Sequence, residues 1–260
     1  MSILEPLIKY LGRLIKVMQV VILAGGFGTR LSEETDLIPK PLVRVGKFPI
    51  IVHIISHFFN FGHTEFIIAG GYKVQMLEDF FSKEAEAHGI LRKIRVSVED
   101  TGVNSNTAQR IVLLKHFLVK DFFVTYGDGL SDVNLDELVS HRRSMETICT
   151  VTAVRPPPRF GNVEIKDGIV TKFAEKDPLS VGWINGGYFS MTKEIFHYIE
   201  DSDTSFENEP MQRLVTAKQL SAYRHEKFWQ PMDTLREKRV LEDIWNRGRA
   251  PWENTRMSLR

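Results

Sequence analysis

The stretch Gln19-Val20-Val21-Ile22-Leu23 is apolar after its first residue and empties directly into Ala24-Gly25-Gly26-Phe27-Gly28-Thr29-Arg30-Leu31. A short, unbroken apolar run ending in glycines reads as a strand buried on both faces that feeds a tight loop. The same texture recurs downstream. Glu65–Ala69 ends in Gly70-Gly71, and Asp121–Thr125 ends in Tyr126-Gly127-Asp128-Gly129. Between these runs the apolar residues recur at helical spacing, over Pro49–Phe61, Val74–Phe81, Thr107–His116 and Leu135–Ser144, with one more strand at Ile94–Val98. Strict β-α alternation predicts a Rossmann-like α/β fold: a mostly parallel central sheet with helices on both faces.

After about residue 147 the pattern changes. Ile148–Val154, Asn162–Ile165, Ile169–Phe173 and Trp183–Met191 read as closely spaced strands, so a β-rich part is expected there. Asp167-Gly168 between two of them is a hairpin turn signal. Helices near Lys193–Ile199 and Glu209–Ala217, a strand at Ser221–Tyr223 and a closing helix over Thr234–Trp245 complete the chain. We expect an N-terminal extension at 1–18, one domain over 19–225 and a C-terminal segment over 226–260.

Composition narrows the function classes. Lys and Arg number 34 against 33 Asp and Glu, a net charge of +1, so the excess of basic residues expected of a nucleic-acid binder is absent. The single cysteine, Cys149, excludes an intrachain disulfide and a Cys-based zinc site, reads as a small buried hydrophobe, and fits a reducing compartment, hence the cytoplasm. No apolar run approaches the ~20 residues of a membrane span, so stable membrane insertion is not expected. Residues 1–18 place Leu4, Leu7, Ile8, Leu11, Leu14 and Ile15 at helical spacing with Lys9, Arg13 and Lys16 between them. Packing on the body or a partner, a membrane-surface helix and an upstream translation extension remain open for this segment, with Met18 a plausible start.

The chemistry concentrates in few places. Glycines at 25, 26 and 28 let main-chain N–H groups approach phosphate oxygens, and Arg30 adds a planar fork. A P-loop would need Gly-Lys-Ser/Thr where Gly28-Thr29-Arg30 stands, and a dinucleotide fingerprint would need a small residue at Leu31. Over these residues alone a purely structural turn looks the same. Lys40, stiffened between Pro39 and Pro41, is a point charge suited to a phosphate, or a common surface turn. Asp128, flanked by glycines at the carboxyl end of a strand, suits Mg²⁺ held by one or two carboxylates and phosphate oxygens. Asp233 reads as a second carboxylate or a helix N-cap. His53 and His57 are four apart but lack a third metal ligand. A set with no obvious nucleophile or base fits phosphoryl chemistry, in which the attacking oxygen is already anionic.

Gly25-Gly26-Phe27-Gly28-Thr29-Arg30-Leu31 with Pro39-Lys40-Pro41 resembles the signature of sugar-1-phosphate nucleotidylyltransferases. Leu31–Thr35, Thr125–Gly129, Arg159-Phe160-Gly161, Ile184–Gly187, Phe228–Arg236 and Ala250-Pro251-Trp252 resemble its glucose-1-phosphate cytidylyltransferase branch. The resemblance spans roughly residues 19–252. It implies a β-rich sugar-binding part and Mg²⁺-dependent formation of CDP-glucose and pyrophosphate from CTP and α-D-glucose 1-phosphate. It also implies use in deoxyhexose and surface-polysaccharide (O-antigen) biosynthesis, and a hexameric homo-oligomer. By matching position, Leu23, Ala24 and Gly25 to Arg30 would meet the nucleotide, with Arg30 on the leaving pyrophosphate. Gly127 would join them, Lys40 would hold the α-phosphate, and Asp128 and Asp233 the metal. Arg30, Lys40 and Asp128 are the expected catalytic set. Glu175 and Lys176 would take the sugar hydroxyls and phosphate, Asn185 and Gly186 the sugar, and Thr101 and Arg110 the nucleotide.

The chain departs from the pattern at Ala108-Gln109, where the family carries a double glycine, and at Gly46-Lys47-Phe48-Pro49, Asp177 and Pro157-Pro158-Arg159. Side chains at 108 and 109 are expected to alter the base pocket or the assembly. UTP or dTTP, another hexose 1-phosphate, and a non-catalytic nucleotide-sugar binder are the alternatives.

Overall fold

The computed structural model describes residues 17–84, 89–157, 162–174, 182–199, 204–248 and 250–253. The expected helix before Val17, the Glu175-Lys176 pair and Arg159-Phe160-Gly161 lie outside the described residues. In chain order the strands used below are β1 (Gln19–Leu23), β2 (Glu65–Gly70), β3 (Arg95–Asp100), β4 (Phe122–Tyr126), β5 (Gly129–Ser131), β6 (Cys149–Val154), β7 (Asn162–Lys166), β8 (Ile169–Ala174), β9 (Ile184–Met191), β10 (Leu220–His225) and β11 (Trp229–Pro231). The helices are α1 (Ile50–Asn60), α2 (Val74–Asp79), α3 (Thr107–Leu113), α4 (Leu135–Ser144), α5 (Phe196–Ile199), α6 (Glu209–Thr216) and α7 (Leu235–Asn246).

Seven strands form one sheet in the order β10-β6-β9-β4-β1-β2-β3. Only β9 runs antiparallel to its neighbours. Alternation along the strands splits the core. Val20, Ile22, Phe66, Ile68 and Phe123 join one cluster with α1, α4 and Leu241 of α7. Val21, Leu23, Ile67, Ala69 and Val124 join the other with Ile111, Phe196 and Leu214 of α3, α5 and α6. The sheet is therefore covered on both faces, as a mostly parallel sheet requires. Every residue of α1 from Ile50 to Phe58 is buried, the two histidines included. His53 Nε2 lies 2.9 Å from the Val45 carbonyl, and its Nδ1 accepts from the Trp252 indole. His57 Nε2 lies 3.0 Å from the Val133 carbonyl. Both are buried core residues outside the lining of the cavity described below.

The strands after residue 147 divide among three places, one of them the β5–β11 ribbon. β6, β9 and β10 extend the main sheet, while β7 and β8 form a separate two-stranded hairpin. Its turn has Asp167 at φ 51° and Gly168 at φ 82°, the left-handed pair that an Asp-Gly hairpin turn uses. Two departures follow from pairing. β3 runs on to Asp100 because it keeps register with β2 as far as Gly70. The helix expected over 107–116 stops at Leu113 and yields to a tight turn at Lys115–Phe117. The β5–β11 ribbon carries no sequence signal, since each strand has three residues and β11 ends in proline. No described helix is long and apolar enough to cross a membrane.

Candidate active site

The chain leaves β1, builds β2 and β3 on one side, then crosses back to lay β4 on the other side of β1. That reversal opens a crevice beyond the carboxyl ends of β1 and β4, where open α/β sheets bind ligands. A cavity of about 340 Å³ lies there. Leu23, Ala24, Gly25, Gly26, Gly28, Thr29, Arg30, Lys40, Arg110, Gly127 and Asp128 line it. Phe27 instead packs on Tyr72, ring centroids 5.2 Å apart.

Gly28 sits at φ 67°, the left-handed region in which a Cβ is disfavoured, and its carbonyl accepts from the Thr35 hydroxyl at 3.1 Å. The loop after β1 is held from behind by Arg110 of α3. Its guanidinium donates to the carbonyls of Gly25 (3.0 Å), Gly70 (2.8 Å) and Gly102 (2.9 Å) and to the Thr101 hydroxyl (2.6 Å). A Cβ on Gly25 would lie 2.1 Å from that guanidinium, so glycine is required there for close approach. Thr101 is buried and donates in turn to the Gly70 carbonyl. Thr101 and Arg110 thus brace the loop through main-chain carbonyls.

Lys40 opens a short 3-10 turn between Pro39 and Pro41 and is buried. Its Nζ donates to Asp128 Oδ2 at 2.6 Å and Asp233 Oδ1 at 2.7 Å. Burial works against its charge, but the two carboxylates outweigh burial and hold the ammonium above its ordinary range. Arg30, largely exposed, pairs with the other oxygen of Asp233 at 2.8 Å. The β5–β11 ribbon brings Asp128 and Asp233 together from positions more than a hundred residues apart: the Met232 N–H donates to the Asp128 carbonyl at 2.8 Å. Asp233 is not a helix cap. Thr234 caps α7, with Glu237 completing a capping box, and the Asp233 carboxylate is turned to Lys40 and Arg30 instead.

Two carboxylates that converge on one cation fit a hard divalent metal whose remaining ligands are phosphate oxygens and water. Among the described residues no group of three or more His, Cys, Asp and Glu is placed to hold a metal by itself.

Sequence reasoning missed the far wall. Ser105, Asn106, Thr107, Tyr126 and Ser205 also line the cavity. Asn106 caps α3 by accepting from the Gln109 N–H. The Asn-x-x pattern before a helix was the only available signal. Ala108 is buried in the core and Gln109 faces solvent, so neither side chain lines this cavity. Asn185 at the start of β9 donates to the Tyr126 hydroxyl at 3.2 Å and accepts from the Gly187 N–H. The Gly186 carbonyl accepts from the Trp229 indole at 2.7 Å.

Residues 19–243 match the nucleotidyl transferase family. The chain is 37% identical over 254 residues to glucose-1-phosphate cytidylyltransferase of Salmonella typhimurium, covering 91% of this chain and 99% of the relative. It is 35% identical over 253 residues to the probable glucose-1-phosphate cytidylyltransferase of Bacillus subtilis, with the same two coverages. Mannose-1-phosphate guanyltransferase of Saccharomyces cerevisiae is 32% identical over 232 residues, covering 84% of this chain and 63% of the relative. UDP-glucose pyrophosphorylase in complex with UDP-glucose shares the fold, with a TM-score of 0.68 at 17% identity over 90% of this chain and all of that one.

Proposed function

The chain belongs to the nucleotidyl transferase family, and on that footing we propose that it transfers CMP from CTP to α-D-glucose 1-phosphate, forming CDP-glucose and pyrophosphate. The observation that carries this is Lys40 joined to Asp128 and Asp233 at the mouth of the glycine-loop cavity. The cytidylyltransferase relatives, matched along nearly their whole length, support the choice of base and sugar.

A sugar-phosphate oxygen bonds to the α-phosphorus of CTP as the bond to the pyrophosphate oxygen breaks. The attacking oxygen is already anionic, so positioning and charge neutralisation do the work and no protein base is needed. The N–H groups of Gly25 to Arg30 cradle the triphosphate, with Leu23, Ala24 and Gly127 shaping the floor. Arg30 neutralises the leaving pyrophosphate and Lys40 the α-phosphate. Thr101 and Arg110 keep the loop in shape for the nucleotide. Glu175 and Lys176 bind sugar hydroxyls and phosphate, and Asn185 and Gly186 line the sugar pocket. Asp128 and Asp233 would hold Mg²⁺, which when bound would neutralise phosphate charge. A cytoplasmic homo-oligomer, hexameric as the family resemblance implies, completes the proposal.

The test is pyrophosphate release from purified protein with Mg²⁺, glucose 1-phosphate and each of CTP, UTP, dTTP, ATP and GTP. Release with CTP far above the others is expected. A preference for another nucleotide refutes the base assignment, and silence with all five refutes glucose 1-phosphate as the acceptor.

A further inference from the structure

The wall opposite the glycine loop carries a carboxylate that the mechanism leaves unused. Glu207 lies in the loop before α6 and is half-buried. One carboxylate oxygen accepts from the Tyr126 hydroxyl and the other from the Thr107 hydroxyl at 2.7 Å. Thr107 also accepts from the Phe206 N–H at 2.7 Å, which anchors the loop to the start of α3. Tyr126 in turn accepts from Asn185. A continuous relay therefore runs from Glu207 through Tyr126 to Asn185. An acid at a site for two anionic substrates is poorly suited to touching phosphate. As an acceptor, however, it fixes the tyrosine hydroxyl as a donor toward itself, leaving that oxygen to accept the Asn185 amide. Asn185 Oδ1 is occupied by the Gly187 N–H. The amide is thereby held in one orientation, with its second N–H free of these three partners.

We propose that Glu207 is a positioning residue that sets acceptor specificity by locking Tyr126 and Asn185 in a single hydrogen-bond sense for a hydroxylated hexose phosphate. The inference rests on the proposed transfer to a hexose 1-phosphate. Two hydrogen-bond partners with fixed donor and acceptor roles discriminate hydroxyl configuration better than two free to rotate, because a mismatched hydroxyl leaves a polar group unpaired.

The experiment compares wild-type protein with Glu207→Ala, Glu207→Gln and Tyr126→Phe, measuring KM and kcat for CTP and for glucose, galactose and mannose 1-phosphates. With Glu207→Ala the KM for glucose 1-phosphate is expected to rise about tenfold, equivalent to one lost hydrogen bond. The KM for CTP rises by less than this, since Thr107 and Tyr126 also line the glycine-loop cavity but the amide that loses its fixed orientation is that of Asn185. The preference among the three sugars narrows. Tyr126→Phe gives the same shift and the double variant no further one, while Glu207→Gln, which keeps an acceptor oxygen, recovers part of it. A merely structural role would move both KM values together. Equal shifts for both substrates, or an unchanged sugar preference in Glu207→Ala, overturn the proposal for Glu207 alone. A wild-type protein silent with all three sugars overturns it together with the assigned function.

Discussion

Lys40 and Arg110 are both buried cations beside the same cavity, and their surroundings give them different work. Arg110 spends its donors on main-chain carbonyls and the Thr101 hydroxyl, so it shapes the loop. Lys40 lines the cavity and pairs only with the carboxylates of Asp128, which lines it too, and Asp233, so its charge is placed with the groups proposed to react. Asp128 lies between the two cases, since its carbonyl takes the Met232 N–H while its carboxylate takes Lys40. Asp128→Ala leaves the main-chain bond in place and leaves Lys40 paired with Asp233. The folded state therefore keeps its melting temperature within a few degrees. Turnover should fall about a thousandfold, the scale for removing a preorganised electrostatic group. A purified Asp128→Ala protein with near wild-type pyrophosphate release would remove this residue from the mechanism.

At the scale of the element, α7 couples helix capping to catalysis. The Glu237 carboxylate accepts from the N–H of Thr234 at 3.0 Å and from the N–H of Asp233 at 2.8 Å. The Thr234 hydroxyl accepts from the Glu237 N–H. Either residue replaced by alanine should destabilise the protein by about 1 kcal/mol, a loss of a few degrees in melting temperature. Only Glu237→Ala also frees the main chain that carries Asp233. Its kcat should therefore drop several-fold further than that of Thr234→Ala (about 1 kcal/mol of lost positioning). Matched melting curves with equal turnover in the two variants would show that the cap serves stability alone.

The whole molecule carries a pH dependence that originates in its core. His53 and His57 are buried in α1, and burial lowers each from its ordinary value to about 4. Main-chain hydrogen bonds to Val45 and Val133 oppose that shift without cancelling it. Between about pH 4 and the ordinary histidine value near 6.5, the unfolded chain binds protons that the folded chain refuses. Their contribution to stability is therefore complete above pH 6.5 and declines as the pH falls toward 4. Melting temperatures taken from pH 7 to pH 4.5 should fall more steeply for wild-type protein than for a His57→Asn variant. Parallel slopes would show that other groups govern the acid limb.

Much of this was legible without coordinates. The apolar runs into glycine dictated a parallel sheet, because only strands covered on both faces tolerate them. The Asp167-Gly168 turn and the helix over 135–144 follow from local conformational preference alone. Arg30, Lys40 and Asp128 were visible because prolines and glycines frame them. The β5–β11 ribbon was not, since three-residue strands have no periodicity and their pairing joins Gly129 to Pro231 across the fold. Glu207 was equally silent: nothing in Ser205-Phe206-Glu207 marks an acid that reaches Tyr126 and Thr107. That Ala108 is buried and Gln109 exposed, both outside the cavity lining, was likewise set by the packing of α3. Local sequence determines what backbone a segment can adopt. Which side chains meet across the sheet edge depends on long-range packing, and that was decided only in the tertiary structure.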